Sequence, residues 1–475
     1  MACRFTSRPT GLLGALLVLG ATACVDERVV FQDRELFEDP LTEAGSFLGY
    51  TDHEDKLTVC GNCHIGVQGD WQVTGHAAAW DGLQDSGHAQ ELCQGCHTVS
   101  QLGNVTTDIG GHAATGEERY EDVQCEACHG PGLDHVLDPS DETAPLAAVA
   151  VGLDLTLGCG ECHQGAHHSF VDEWAESGHA LINPSPAGNP SCTSCHTGEG
   201  ALQMLGVRTT YLEEATVAQP DEHLAITCAV CHDPHGSENS AQLRLPIDVP
   251  SEEENLCMQC HHKRGIPDPT TFRGPHSPEG PLLLGTAGWW PPDMTFPGGR
   301  IVATHGSEAN PRLCASCHVR SFEVLDDETE ELVFQSTGHS FEATPCVDGN
   351  GVPTGGDCAE EERSFAGCVA SGCHSSEEST ISLKAIAESR IAGHAADLED
   401  LLATIPEAEF DPDDGRYSAA EGSRFNLELA RFNGSAVHNP FLVEALLLAS
   451  IQELEARYGP AAPPASGSAG APGGR

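Results

Sequence analysis

The pattern of hydrophobic and polar positions divides the chain into a long irregular part and a shorter helical part. From Ile381 to Ile405, and again from about Ser418 to Tyr458, Leu, Ile, Phe and Ala recur at helical spacing with few Gly or Pro residues. This pattern predicts the longest helices of the protein. Upstream, frequent Gly, Pro, Asp and Ser predict short helices joined by turns, with almost no strand signal. We therefore expect a mainly α fold with much irregular loop.

The N-terminus carries the pattern of an export signal. Two arginines precede an apolar run from Gly11 to Gly20, and Ala21-Thr22-Ala23 supplies the small residues of a cleavage site, so residues 1–23 are predicted to be a signal peptide. Cys24 follows directly, as in a lipoprotein signal, and a lipid on Cys24 would anchor the protein to a membrane. Plain cleavage after Ala23 is the alternative. We expect an exported protein, periplasmic or at the cell surface, anchored in the outer membrane.

The composition limits how much of the 475-residue chain a conventional core can organise. Only 39% of the residues are hydrophobic and 5% aromatic, so a single core would be thin for a chain of this length. The 72 acidic residues against 22 basic ones give a formal net charge of −50. Nucleic acid and anionic membrane surfaces are therefore poor partners, while basic proteins or cations are favoured. Solubility alone is an equally simple reason for such a charge.

Cysteine spacing gives the most specific signal. Eight copies of Cys-x-x-Cys-His occur, and a variant with four residues between its cysteines follows; we number these motifs 1 to 9 in chain order. Two thiols one helical turn apart reach both vinyl groups of a haem, and the next residue then lies under the iron, so the motif is an attachment signal for haem c. We expect nine haems, and eight at minimum. The predicted attachment cysteines, motif by motif, are Cys60 and Cys63, Cys93 and Cys96, Cys125 and Cys128, Cys159 and Cys162, Cys192 and Cys195, Cys228 and Cys231, Cys257 and Cys260, Cys314 and Cys317, and Cys368 and Cys373. The predicted proximal iron ligands, in the same order, are His64, His97, His129, His163, His196, His232, His261, His318 and His374.

Two other uses of the cysteines fit the spacing less well. Zinc ribbons need two cysteine pairs, or a later histidine pair, for each ion. Disulfides suit an exported protein but give no reason for a histidine after every second cysteine. Cys3 leaves with the signal peptide and nine haems use eighteen thiols, so lipidation of Cys24 leaves Cys346 and Cys358 as a predicted disulfide.

The second axial ligand of each iron separates an electron carrier from a catalyst. Three methionines remain after the signal peptide, whereas sixteen histidines lie outside the motifs, so we expect bis-histidine ligation and comparatively low potentials. A Ser/Thr-Gly-His frame recurs four times, and a histidine just after one motif would have to bind the iron of a neighbouring motif. The predicted distal ligands are His76, His88, His112, His135, His179, His235, His262, His276, His339 and His438, with His305 and His394 as reserves.

Motif spacing and composition also predict the domain organisation. Residues 24–55 form an anchor or tether, 56–263 a seven-haem domain, 264–312 a Pro/Gly-rich linker or surface insertion, 313–380 a two-haem region with the Cys346/Cys358 pair, 381–458 a helical region, and 459–475 a disordered tail.

Two stretches of sequence resemble a known family. The run from Trp71 to His97, with Gly-His-Ala-Ala ahead of Cys93, and the run from Val123 to Gly132 resemble the nitrifiers' tetrahaem cytochrome that accepts electrons from hydroxylamine oxidoreductase. The likeness covers roughly residues 56 to 262. His438-Asn439-Pro440 resembles a segment of the pentahaem nitrite reductases and hydroxylamine oxidoreductases, in which the histidine is a haem ligand. The resemblance implies a mostly helical fold wrapped around stacked haems.

Three functions follow from these observations, in order of preference. The first is an electron carrier that connects redox partner proteins. The second is an oxidoreductase that acts on a small nitrogen or sulfur compound at one five-coordinate haem; no Cys-x-x-Cys-Lys motif occurs, and only five tyrosines are available for a hydroxylamine oxidoreductase-like crosslink. The third is passive haem storage, which predicts haems too far apart to exchange electrons.

Overall fold

Short helices separated by loops make up most of the computed structural model, which describes residues 46–147, 158–165, 168–207, 223–292, 294, 300–326, 328–370, 372–411, 414 and 416–459. The α-helices are α1 Ile65–Trp71, α2 Ala79–Asp85, α3 Gln94–His97, α4 Gly111–Thr115, α5 Cys125–His129, α6 Leu133–Leu137, α7 Cys159–Cys162, α8 Phe170–Glu176, α9 Pro184–Ala187, α10 Thr193–His196, α11 Gly198–Met204, α12 Cys228–Cys231, α13 Glu279–Leu284, α14 Ala315–His318, α15 Ala366–Ala370, α16 Glu377–Leu402, α17 Ala419–Ala430, α18 Ser435–His438 and α19 Pro440–Tyr458. Single 3₁₀ turns lie at Cys60–Asn62, His76–Ala78, Glu91–Cys93, Glu118–Tyr120, Gly178–Ala180, Ser240–Gln242, Cys257–Gln259, Thr304–Gly306, Glu360–Glu362 and Glu407–Phe410. The predicted mainly α fold with much loop is confirmed.

Strands are few and short. They pair as three antiparallel two-stranded ribbons: β1 Tyr50–Asp52 with β2 Leu57–Thr58, β3 Phe322–Leu325 with β4 Leu332–Ser336, and β5 Cys346–Val347 with β6 Pro353–Thr354. The hairpin of β3 and β4 was not expected from the sequence. Asp326 closes it, because its carboxylate accepts hydrogen bonds from the backbone N–H groups of Glu328 and Thr329. The predicted disulfide between Cys346 and Cys358 joins β5 to the loop after β6.

The predicted helix from Ser418 to Tyr458 is broken twice. Ser418 and Glu421 form a reciprocal capping box that starts α17, as expected for a helix N-terminus. Gly434 then takes a positive φ of 81° in the left-handed region, which glycine adopts without strain. Pro440 begins α19 at a position where its missing N–H costs nothing. Between these breaks lies α18, which ends at His438.

The largest hydrophobic cluster lies around α16, α17 and α19. Leu398, Phe425, Leu446 and Leu447 are almost fully buried there. Leu282 and Ala287, from the segment predicted to be a linker or surface insertion, belong to the same cluster. That part of residues 264–312 is therefore core, because its leucines outweigh the local Pro and Gly content that suggested a surface segment. The other domain boundaries stay predictions.

Asparagine side chains join this segment to the helices. Asn426 is 1% exposed; its amide oxygen accepts from Trp289 N, and its amide nitrogen donates to Trp289 O and Ser450 Oγ, at 2.7, 2.7 and 3.0 Å. Asn439 donates to the carbonyls of Leu282 and Ile301 at 3.0 and 2.7 Å. Backbone groups of the segment are thus satisfied inside the core.

Several predictions about the two ends concern residues that the structure does not describe. The signal peptide, residues 24–45 of the predicted tether, among them Cys24, and residues 460–475 of the predicted tail lie outside the described residues. Residues 46–55 of the predicted tether are described, and Phe47, Leu48 and Tyr50 are buried there. All described residues belong to one compact unit. Within the described part of the chain, no helix is both long and apolar enough to cross a membrane.

Replacing Asn426 by Ala should lower the free energy of unfolding by about 1–3 kcal/mol, because the N–H and carbonyl of Trp289 would be left buried without partners. Urea denaturation followed by far-UV circular dichroism measures the loss. Gln452→Ala, at an exposed position of α19, is the control and should change stability by less than about 0.5 kcal/mol. Equal losses in both variants would contradict the role given to Asn426.

Candidate functional site

Each regular attachment motif contains a short helical turn. In at least six of the motifs the backbone N–H of the histidine donates to the carbonyl of the first cysteine, for example His64 to Cys60 at 3.0 Å and His318 to Cys314 at 2.9 Å. The turn places both thiols and the imidazole at one end of the same small unit, as covalent haem attachment requires. None of the eighteen predicted attachment cysteines, all of them in the described part of the chain, is in a disulfide.

The variant motif 9 reaches a related arrangement by a longer route. Cys368 lies in α15, and Gly372, with φ of 75°, turns the chain before Cys373 and His374. The imidazole of His374 faces another histidine, as do those of seven regular motifs. Despite the four intervening residues, His374 therefore faces a second histidine in the same way as the motif histidines of the regular motifs.

Eight motif histidines face a second histidine at nearly constant spacing. The pairs, with the motif histidine first and the distance between ring centroids, are His64 and His135 (6.4 Å), His163 and His76 (6.1 Å), His129 and His235 (6.2 Å), His261 and His179 (6.2 Å), His196 and His276 (6.0 Å), His232 and His339 (6.2 Å), His374 and His305 (6.2 Å), and His318 and His438 (6.3 Å).

This spacing suits one metal ion between the two rings. Metal–imidazole nitrogen bonds are about 2 Å long in zinc sites, and half a ring lies on either side of them. Packed aromatic rings can also have centroids about 4.5–7 Å apart, so it is the recurrence of this spacing at the motif histidines that indicates a metal. The spacing fits an iron with two axial histidines, and it occurs at eight of the nine motifs.

Backbone carbonyls hold many of these rings in one orientation. Nδ1 of His129, His232 and His318 donates to the carbonyls of Pro145, Ala241 and Phe341 at 2.8, 2.7 and 2.8 Å. A ring that donates through Nδ1 presents the lone pair of Nε2 to the metal. Among the facing rings, Nδ1 of His305 donates to the carbonyl of Val437 at 2.7 Å.

Burial keeps several of the rings neutral. It lowers the pKa of His163, His179 and His438 to about 4, and neighbouring histidines add to the effect. A neutral imidazole is the form that binds a metal ion. These three rings therefore need no proton loss to act as ligands at neutral pH.

Large apolar side chains lie exposed beside the histidines. Ile65, Leu137 and Leu181 follow His64, His135 and His179 closely and are 59–74% exposed. Leu92, directly before Cys93, is 79% exposed. Apolar groups concentrated in this way mark a surface that something apolar covers, and a flat macrocycle held between the histidines would cover them. Thiols, imidazoles and apolar walls together fit haem.

Some predicted ligands are not brought to a motif histidine. His88 is exposed, the ring of His112 packs on Trp80 at 4.9 Å, and Nδ1 of His262 donates to the carbonyl of Met258 at 2.6 Å. The reserve His394 contacts Glu444 at 3.4 Å, whereas the reserve His305 faces His374. A further ring, that of His168, lies edge-on to His163 at 6.3 Å.

His97 of motif 2 differs from the other motif histidines. Its Nδ1 donates to the carbonyl of Ala79 at 2.9 Å, like those of other motifs. Among the described residues, however, no histidine ring faces it at the spacing of the eight pairs. His167 lies outside the described residues. No second histidine is therefore assigned to motif 2 from the described residues.

Sequence reasoning missed Glu173, which holds the loop of His339. Its carboxylate is buried and accepts from the backbone N–H groups of Thr337 and His339 at 2.8 and 2.7 Å, and from the hydroxyls of Thr337 and Ser169 at 2.9 and 3.2 Å. A charged acceptor with this many donors fixes the loop strongly. The only sequence signal is an acid on a short helix rich in aromatic residues.

Two family models match parts of the chain. One, described as cytochrome c554 and c-prime, matches residues 59–130, and another, described as a doubled CXXCH motif, matches residues 223–265. With the site geometry, these matches show that the chain is a multihaem c-type cytochrome whose cofactor is haem c.

A curated relative points to the same class. The multihaem cytochrome MtrA of Shewanella baltica (strain OS185) is 27% identical over 198 residues, which cover 37% of this chain and 54% of the relative. The match thus spans about half the length of that relative. No solved structure matches the chain significantly. The finer resemblance to the nitrifiers' proteins stays a prediction.

Replacing Glu173 by Gln should loosen the loop around His339. One acceptor oxygen becomes an NH₂ group that faces backbone donors, which costs about 1–3 kcal/mol locally. Hydrogen–deuterium exchange of the peptide containing residues 337–341 should become faster. Glu176→Gln, at an exposed position of the same helix, is the control; the prediction fails if it has the same effect as Glu173→Gln.

Proposed function

We propose that the chain binds nine haem c groups and passes electrons between redox partner proteins outside the cytoplasmic membrane. The observation that carries the proposal is the set of eight histidine pairs with ring centroids 6.0–6.4 Å apart. An iron ligated on both faces offers no position to a substrate, but it can still gain and lose an electron. Bound haem would supply this reversible one-electron couple.

We assign the axial ligands from the same pairs. The motif histidines His64, His129, His163, His196, His232, His261, His318 and His374 are proximal, and His135, His235, His76, His276, His339, His179, His438 and His305 are their respective distal partners. This assignment favours seven of the ten predicted distal histidines and one reserve. The protein's contribution is to hold each pair at the right distance, fix Nε2 towards the iron and limit water around it.

The proposed location rests on the N-terminal sequence and on the disulfide. An export signal with Cys24 at its end favours a lipoprotein of the outer membrane, and a disulfide between Cys346 and Cys358 suits an oxidising compartment. The formal charge of −50 favours redox partners with basic surfaces. We therefore expect the partners to be redox proteins with basic surfaces.

One observation favours a second function: among the described residues, no histidine ring faces His97 at the spacing of the eight pairs. If the iron at motif 2 keeps an open axial position, it could bind a small nitrogen or sulfur compound and make the protein an oxidoreductase. Trp80 follows Ala79, whose carbonyl accepts from His97, and the buried His112 donates its backbone N–H to Val99, two residues after His97. This alternative needs one five-coordinate haem, and motif 2 is where the described residues would put it.

The number of haems can be measured from the intact mass of the mature protein. We expect nine covalent haems, and eight after Cys368→Ser/Cys373→Ser, because motif 9 would no longer attach one. Cys346→Ser/Cys358→Ser removes the same number of thiols nearby and should keep all nine. A wild-type protein with eight haems would show that motif 9 is not an attachment site.

Spectra of the oxidised and reduced protein with nitrite, hydroxylamine or carbon monoxide separate the two functions. An electron carrier should keep its low-spin spectrum when these ligands are added, because both axial positions are filled. A high-spin signal that responds to them would favour the oxidoreductase. That signal should disappear in Cys93→Ser/Cys96→Ser, which removes motif 2, and remain in Cys192→Ser/Cys195→Ser, which removes motif 5.

A further inference from the structure

A buried carboxylate lies inside attachment motif 3. Glu126 stands between the two cysteines of that motif and is 3% exposed. Its Oε1 accepts hydrogen bonds from the backbone N–H groups of Leu48 at 3.0 Å and Gly132 at 2.8 Å, and its Oε2 accepts from those of Leu48 and Gly49, both at 2.8 Å. Bonds to a charged acceptor are stronger than those to a neutral one. Glu126 therefore ties two segments from different parts of the chain to motif 3.

The first of these segments leads into motif 1. The N–H of Gly49 donates to Glu126, and the carbonyl of Gly49 accepts from the N–H of Val59 at 3.0 Å. Val59 directly precedes motif 1, whose helical turn carries His64. Gly49 has a φ of 69°, and an added Cβ would lie 2.4 Å from a backbone oxygen, so the segment needs a glycine where it passes motif 3. The backbone of motif 1 is thus linked to Glu126 through Gly49 and Val59.

The second segment carries the histidine that faces His64. The N–H of Gly132 donates to Glu126, and the carbonyl of Gly132 accepts from the N–H of Val136 at 3.0 Å, which starts helix α6. His135 lies in this helix, and its ring centroid is 6.4 Å from that of His64. One carboxylate therefore holds the backbone that leads to each of the two facing rings.

Apolar packing joins the same two segments. Leu48, Val59 and Leu133 form one buried cluster. An added Cβ on Gly132 would lie 3.3 Å from Oε1 of Glu126 and 3.6 Å from Cδ1 of Leu48, so the turn before α6 lies close against both side chains. The packing and the hydrogen bonds are separate contacts, and both place the segment before motif 1 against the segment that carries the facing histidine.

We infer that Glu126, a residue of motif 3, is a positioning residue for the iron of motif 1, because its carboxylate aligns His135 with His64. The inference rests on the proposed function, in which these two histidines are axial ligands. It adds that ligation at one motif depends on a side chain that belongs to another. Glu126 acts through the backbone on both sides of the pair and has no contact with the iron in this role.

Carbon monoxide binding to the reduced protein tests this role. Carbon monoxide reaches the iron of motif 1 after His135 has left it, so the rate of binding measures how firmly His135 is held. Glu126→Gln replaces one acceptor oxygen by an NH₂ group that faces backbone donors, and we expect the rate to rise by about tenfold. Burial raises the pKa of Glu126 to about 7, so the rates are measured at about pH 8.5, where its carboxyl is ionised.

A double variant identifies the iron that responds. His135→Ala should bind one more carbon monoxide molecule per protein than the wild type, without the slow step. Adding Glu126→Gln to His135→Ala should change neither the amount bound nor the rate, because the ligand that Glu126 positions is gone. Glu118→Gln removes the same charge at an exposed position before motif 3 and is the control, which should keep the wild-type rate.

A second variant probes the same contact without a change of charge. Gly132→Ala places a Cβ against Oε1 of Glu126, so that bond must lengthen, and we expect faster carbon monoxide binding at the same iron. It replaces Glu126→Gln if the intact mass shows that Glu126→Gln carries fewer haems than the wild type. An unchanged rate in Gly132→Ala would then contradict the inference.

The outcomes separate the inference from the proposed function. If His135→Ala binds the additional carbon monoxide but Glu126→Gln keeps the wild-type rate, His135 is a ligand that Glu126 does not position. If Glu126→Gln has the same effect with and without His135, it acts on another iron, and the inference is also wrong. If His135→Ala carries all its haems and binds no more carbon monoxide than the wild type, the proposed ligation at motif 1 itself is overturned.

Discussion

Two histidines facing each other across a gap for one metal ion make the contact on which the rest of the structure depends. The partners come from distant parts of the chain, as in His129 with His235 or His232 with His339. Outside the C-terminal helices, buried apolar clusters hold three or four residues each. So few buried residues contribute little hydrophobic free energy per segment. With haem bound, covalent attachment and the proposed ligation by the histidine pairs would take over the organising role that a hydrophobic core has elsewhere.

The same contact explains what could be predicted from the sequence. Attachment is a local property, because two thiols and an imidazole lie within one helical turn, so its residues could be read from spacing. Which histidine faces a given motif depends on how the whole chain folds, and local spacing does not reveal it. His305, a reserve, faces His374, while His88, in the repeated Ser-Gly-His frame, is exposed. The segment around Leu282 was misjudged for a related reason: its composition is typical of a loop, but its position makes it core.

Charge and ligation support the same preference among functions. At eight motifs a second histidine faces the motif histidine, and under the proposed ligation it would fill the axial position that a substrate needs. A net charge of −50 attracts basic partners, and salt screens this attraction over about 10 Å. A protein that exchanges electrons through transient contacts needs this kind of steering more than it needs a deep pocket. The carrier function explains both the eight histidine pairs and the acidic net charge. The oxidoreductase function explains only that no described histidine faces His97.

The C-terminal helices contact two of the histidine pairs through one short element. Helix α18 ends at His438, which faces His318 of motif 8, and the carbonyl of Val437 in the same helix orients His305, which faces His374 of motif 9. Gly434 starts the helix in a conformation that a larger residue would strain, and an added Cβ there would also crowd the ring of His438. A helix joined to the largest core thus positions His438 and orients His305, the histidines that face motifs 8 and 9. The single helical turn of α18 thus supports two histidine pairs, His318 with His438 and His374 with His305.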